Sequence, residues 1–312
     1  MTALSAITFL ALEAIGGALT LTYGFNYVVV AVILVSIIIF ALSMPIAINA
    51  AKNGLDIDLL TRGAGFGYLG STVTSLIYAS FTFIFFALEA AIMAMALNML
   101  FGLPLHFGYL IGSVVVIPLV TWGFTFISRF QQFTQFCWLA LQLLPFIFIL
   151  IREHHVLQNW IDFPGFITAR DGSFDFLQLG AVCSVLLSLV SQVGEQVDQV
   201  RFLPKPQHPA RWRWYGAVIA AGPGWVVIGA IKILLGSFLA VLAFNYGLGA
   251  ELASEPTHMY LVAFSYVTHS SSTLLALTGI FVVLSQLKIN VTNAYAGSIA
   301  WSNFFLRLTH RH

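Results

Sequence analysis

Eight stretches of this chain, roughly residues 3–23, 27–50, 72–99, 107–127, 133–151, 176–197, 214–244 and 272–304, are long and apolar with few ionisable side chains. A helix that crosses the hydrocarbon core of a bilayer needs about 20 mostly apolar residues. With eight such stretches in 312 residues, little is left from which to build anything else. Charged residues make up 8% of the chain and hydrophobic ones 59%, against about 25% and about 45–50% in soluble domains. There is too little polar surface to coat a water-soluble body. This excludes a cytosolic enzyme and a disordered segment. A net charge of +1 gives no basic footprint for nucleic acid. The expected fold class is an all-α, polytopic membrane protein whose solvent is the lipid bilayer.

Positive charge orients the spans, because cytoplasmic loops collect Lys and Arg. Alternating sides from the N-terminus gives one side Lys52, Arg62, Arg129, Arg201, Lys205, Arg211, Arg213, Arg307 and Arg311, and the other only Arg152 and Arg170. The expectation is a multi-pass protein of the bacterial inner membrane with both chain ends in the cytoplasm. The longest polar link, 152–175, lies outside and divides the chain into a five-helix part (1–151) and a three-helix part (176–312). The segment 256–271 is too short and too polar to span, and reads as an interfacial helix outside the bilayer. Cys137 and Cys183 both sit in apolar runs, so no disulfide framework is expected.

Five ionisable residues fall inside spans: Glu13, Glu89, Glu195, Lys232 and Lys288. Each costs about 2.5–3.5 kcal/mol at a helix centre, so some must pair, face water or lie near an interface. Lys232 has few polar neighbours in sequence and reads as snorkelling. Glu13 precedes Gly16-Gly17, which marks either a break in the first helix or close packing through small residues. Glu89 shares a helix face with Phe85 four residues earlier. That pairing suits a flat polar heterocycle, or else Phe85 faces lipid. Ser191, Gln192, Glu195, Gln196 and Asp198 crowd the end of the sixth span around Gly194, as a discontinuous helix would require. Asp198 and Arg201 read as a surface ion pair. Ser285, Gln286, Lys288, Asn290, Thr292 and Asn293 fill the centre of the eighth.

Other patterns carry no chemistry. Gly65-Phe66-Gly67-Tyr68-Leu69-Gly70 matches G-x-G-x-x-G but follows a polar loop rather than a strand. The histidines show no metal-ligand spacing inside a span, and no hydrolase set is evident. No catalytic residue, metal or cofactor is expected.

The block NGLDIDLLTRGAGFGYLGSTVTSLIYASFTFIFFALEA (53–90) resembles the loop and third helix of the nucleobase–cation symporter family, the purine, cytosine, allantoin and hydantoin permeases. Asp198-Gln199-Val200-Arg201-Phe202 resembles the signature after their sixth helix, and Asn290-Val291-Thr292-Asn293-Ala294 the Asn-rich stretch of their eighth. The resemblance implies a five-plus-five inverted repeat, here incomplete, with helices one and six broken at a mid-membrane site. It implies that Phe85 and Glu89 hold a small heterocyclic ligand, with Glu13, Gln192, Asn290 and Asn293 completing the site. It also implies an aromatic in helix six, yet Ser188–Gln192 holds none.

In sodium-coupled members, helix-one carbonyls meet helix-eight hydroxyls. Here Gly16 and Gly17 mark the first group, and Ser285 and Lys288 the second. An ammonium at Lys288 would replace sodium, paired with Glu13 or Glu89, leaving proton coupling or none. The implied function is a secondary transporter of a nucleobase-like heterocycle such as a purine, cytosine, uracil or allantoin. The alternative is a ligand-sensing membrane input region of a histidine kinase, with the chain a piece of a longer protein. The sequence gives no oligomeric state.

Overall fold

The computed structural model describes residues 6–153, 155–167, 174–205 and 211–309. Arg170 and Arg311, counted in the charge bias, lie outside the described residues, as does the side chain of Arg307. All eight apolar stretches are helical: α1 Leu10–Tyr23, α2 Phe25–Asn53, α3 Gly67–Phe101, α4 Leu105–Thr121, α5 Gly123–Arg152, α6 Phe176–Val200, α7 Arg211–Asn245 and α8 Ser271–Thr309. Six of the apolar helices are long enough to cross a membrane, whereas α1 and α4 are shorter. The fold is an all-α polytopic membrane architecture.

The helices end where the backbone chemistry stops them. Gly54 and Gly102 take left-handed conformations (φ 66° and 65°) and cap α2 and α3. Gly24 (φ 87°) turns α1 into α2 against the carbonyl of Pro164, where a side chain would collide. Gly65 (φ 106°) lies in a kink between two helices, so the glycine-rich motif is a bend and not a nucleotide loop.

Helices one and six are interrupted, as are α4 at Val115 and α7 at Gly222-Pro223. A 3-10 turn (Ala6–Thr8) and an extended Phe9 (φ −63°, ψ 101°) precede α1. In α6 a 3-10 stretch, Ser188–Gln192, separates Phe176–Leu187 from Val193–Val200. The break in helix one therefore falls at Phe9. Gly16-Gly17 lie inside an unbroken helix and serve packing: Gly16 meets the backbone of Ile233, and Gly236 meets that of Glu13, so α1 and α7 touch backbone to backbone.

Burial is inverted relative to a soluble protein. Ile33, Ile37, Leu42, Phe133 and Phe136 are exposed, whereas Glu13, Glu89, Lys232, Gln286, Lys288 and Asn290 are buried. The interior holds the ionisable groups within an apolar core, and further apolar side chains face what must be lipid.

The segment after α7 departs from expectation. Helix Pro256–Ser265 does not merely lie on an outer surface. Tyr260 and Phe264 are fully buried and cluster with Phe281 of α8. A helix of 10 residues cannot span, but it is long enough to reach inward from one end of the bundle.

Candidate functional site

The site begins with the bare N-terminus of α1. The first amides of a helix have no partner within it and carry the positive end of its dipole. Glu89 of α3, fully buried, supplies the acceptor: its Oε1 takes the Ala11 N–H at 3.2 Å. One turn back on α3, Phe85 stands edge-on to Phe9 (ring centroids 5.2 Å apart, planes at 70°) and tilted against Phe81 (4.6 Å). Phe85 is thus an interior ring beside the carboxylate and does not face lipid.

α8 closes the other side. Gly297 abuts Thr82 and Gly279 abuts Leu100, so α3 and α8 run antiparallel. That register sets Asn290 level with Glu89, with Gln286 and Asn293 a turn to either side. All three are buried. Both amide atoms of Asn290 and Nδ2 of Asn293 make no hydrogen bond, whereas Gln286 lies beside the Glu89 carboxyl. A buried polar group left unmatched costs about 1–3 kcal/mol. Two such side chains on α8, facing Glu89 of α3, hold donors and acceptors ready for something polar between the helices.

α6 provides the third wall. Gln192, at the end of the 3-10 stretch, borders a void of about 30 Å³ together with Phe9, Glu195, Gln196, Gln199 and Trp225. Phe9 links this void to Phe85. The space equals about one water's share of liquid volume, so a heterocycle enters only if walls move. The aromatic absent from α6 has substitutes elsewhere: Phe9 at the helix-one break and Trp225 of α7. Sequence reasoning missed both. Trp225 follows Gly222-Pro223-Gly224, a helix restart that marks it as unusual. Phe9 was hidden inside an apolar run.

The remaining ionised groups pair differently from expectation. Glu13 Oε1 meets Lys232 Nζ at 2.5 Å, and Lys232 is 2% exposed, so it does not snorkel. Tyr260 donates to Glu13 Oε1 (2.8 Å), and Gln142 of α5 bonds both Tyr260 (2.6 Å) and the Lys232 ammonium (3.2 Å). Glu13 therefore belongs to a knot of α1, α5, α7 and helix Pro256–Ser265.

Lys288 pairs with neither Glu13 nor Glu89. Its Nζ donates to the Gln131 carbonyl (3.1 Å) and to Thr134 Oγ1 (2.9 Å), both on α5. Ser285 accepts from Trp138 Nε1 (2.8 Å), whereas Gly16 and Gly17 face α7. The four positions of the expected cation site are thus not brought together. The Asp198–Arg201 surface pair is also absent: Asp198 is buried and accepts from Tyr78 (3.3 Å), and Arg201 pairs with Asp56 (3.7 Å).

No protein-family model matches the sequence, and no curated protein matches it. Among solved structures, Mhp1 is described as a nucleobase-cation-symport-1 family transporter, in a closed conformation with bromovinylhydantoin bound. It superposes with a TM-score of 0.67 at 17% identity, over 98% of this chain and 66% of that one. This chain has the fold of that transporter. At 17% identity the likeness is one of fold, and it extends over just under two thirds of Mhp1. The interruptions at Phe9 and Ser188–Gln192 fit the general plan of secondary transporters, in which half-helix ends surround a midplane site.

Proposed function

We propose that this chain is the membrane body of a secondary transporter for a flat, nucleobase-like heterocycle, such as a purine, cytosine, uracil or allantoin, bound near mid-membrane. One observation carries this reading. A buried carboxyl group (Glu89), an aromatic pair (Phe85 and Phe9) and unmatched amides of α8 (Asn290, Asn293) gather at a helix N-terminus. A ring face can pack on a planar ligand once Phe9, edge-on to Phe85 here, moves aside, and the carboxyl and amides match its edge of N–H and C=O groups. The bromovinylhydantoin named with Mhp1 is a ligand of that chemical kind.

Lys288 sets the ion requirement. Its amine, held by the Gln131 carbonyl and Thr134, occupies the region where the family resemblance places sodium. Sodium then has no role there, and ligand binding is independent of it. A side chain fastened at that position also favours one second reading, a sensory input region that binds without transport.

Uptake of labelled uracil, cytosine and allantoin by the full-length protein, with and without sodium, tests these statements together. The expected result is saturable, sodium-independent uptake that Glu89→Gln weakens several-fold, as loss of a hydrogen bond of about 0.5–1.5 kcal/mol implies. Saturable binding without uptake would select the sensory reading. Sodium-dependent binding would refute the role given to Lys288.

A further inference from the structure

The cytoplasmic half of α6 carries a carboxyl group that the site above does not use. Glu195 is 7% exposed, its Oε1 makes no hydrogen bond, and it has no ion-pair partner among the described residues. It borders the 30 Å³ void with Gln192 and Gln199, one helical turn to either side.

Every element packed around it can be searched for a countercharge. On α6 itself, Asp198 is a second buried carboxyl and Arg201 is engaged with Asp56. On α3, Tyr78 lies against Gly194 and donates to Asp198. Before α3, Asp58 holds Arg62 at 3.2 Å. α2 contributes the Ser43 carbonyl, which accepts from Gln196. α1 and α7 contribute Ile7, Phe9, Leu12, Ala221, Trp225 and Gly229 to the void, none of them ionisable. The local cations are thus matched to Asp56 and Asp58, and Asp198 has Tyr78. Glu195 has nothing, and a buried carboxylate without a cation is neutralised instead of remaining charged.

We propose that Glu195 is a proton-binding site, loaded and discharged through the void beside it, and that its proton is the ion coupled to ligand movement. A hydronium reaching the void donates the proton, forming an O–H bond on Glu195 Oε1 and leaving a neutral water. On release, that bond breaks, the proton returns to water and the electron pair stays on the carboxylate. The void has room for a single water, enough to relay a proton. The Gln192–Glu195–Gln199 stripe along α6 supplies the polar route. Ligand and proton share a wall, because Phe9 borders the void and touches Phe85.

Proton binding stands on the geometry alone; its coupling role rests on the transporter reading. The test therefore has two readouts on the full-length protein. Infrared difference spectra between pH 5 and pH 9 follow protonated carboxyl C=O stretches. Glu195→Gln should remove one titrating band, and Glu195→Asp, which keeps the acid, should retain a displaced one. Should Glu195→Gln not fold, the displacement in Glu195→Asp serves alone. Titrating bands identical to wild type in both variants would overturn the site.

In proteoliposomes, uptake of uracil, cytosine or allantoin should respond to an imposed pH gradient. Glu195→Gln should abolish that response, whereas Glu195→Asp, which keeps the acid, should retain it. A retained response would overturn the coupling role. If wild type moves none of the three probes, the transporter reading and the coupling fall together, and the infrared band still decides the proton site.

Discussion

Glu13 and Lys232 form a pair that no water reaches, tied further by Tyr260 and Gln142. Two ions removed from solvent recover their desolvation cost only through each other. Removing one partner leaves the other charged and buried, which costs about 3–5 kcal/mol. Glu13→Gln and Lys232→Met should therefore each lower the thermal unfolding midpoint in detergent, whereas the double variant should regain most of the loss. Additive losses would mean that the two side chains do not depend on each other. The presence of buried charge was legible in the sequence, because a carboxylate in the middle of an apolar run must find a partner. The partner's identity was not. Glu13 and Lys232 are far apart in sequence, and pairing them requires the α1–α7 contact that only folding creates. Lys288 was given a carboxylate for the same reason, yet it sits among neutral α5 oxygens.

At the scale of elements, the α1–α7 contact depends on two glycines facing opposite backbones, Gly16 on Ile233 and Gly236 on Glu13. A methyl group at either position would overlap main-chain atoms, which cannot swing aside as a side chain can. Gly236→Ala should therefore cost about 1–3 kcal/mol, the usual range for overpacking. It should also disturb the Glu13–Lys232 pair directly beneath it. Thermal stability of purified protein measures this, with Gly216→Ala, where a Cβ meets nothing, as the control. Spans were readable because a long apolar run has few alternatives. Helix Pro256–Ser265 was misread because its polar residues resemble a surface segment, while its inward face, Tyr260 and Phe264, has no periodic signal strong enough to reveal it. That helix is fastened at the same end of the bundle as α5: Tyr266 lies beside Glu153, and burial with that carboxylate pushes its phenol up to about 12, so it remains a donor at physiological pH.

At the scale of the whole molecule, the charges separate by bundle end. Arg62–Asp58, Arg201–Asp56 and the Trp214–Pro204 contact gather at one end. Arg152, Glu153, Tyr266 and the 163–167 turn against Leu21–Phe25 lie at the other. Positively charged loops are retained in the cytoplasm, so we propose that the end with Arg62 and Arg201 faces inward and the end with Glu153 outward. The void beside Glu195 then lies towards the cytoplasm, and the Glu13–Lys232–Tyr260 knot stands between the Phe85–Glu89 site and the outside. In this conformation the outer path is barred by hydrogen bonds and the inner one only by side chains around a small void. Single cysteines in a background without Cys137 and Cys183 test both statements. Glu153→Cys should react with a membrane-impermeant maleimide in intact cells, whereas Lys205→Cys should react only in inverted vesicles. Phe264→Cys, buried behind Tyr260, should stay unlabelled from outside until Tyr260→Phe removes the hydroxyl that holds Glu13. Labelling of Lys205→Cys in intact cells would reverse the orientation, and with it the assignment of the knot as the outer barrier.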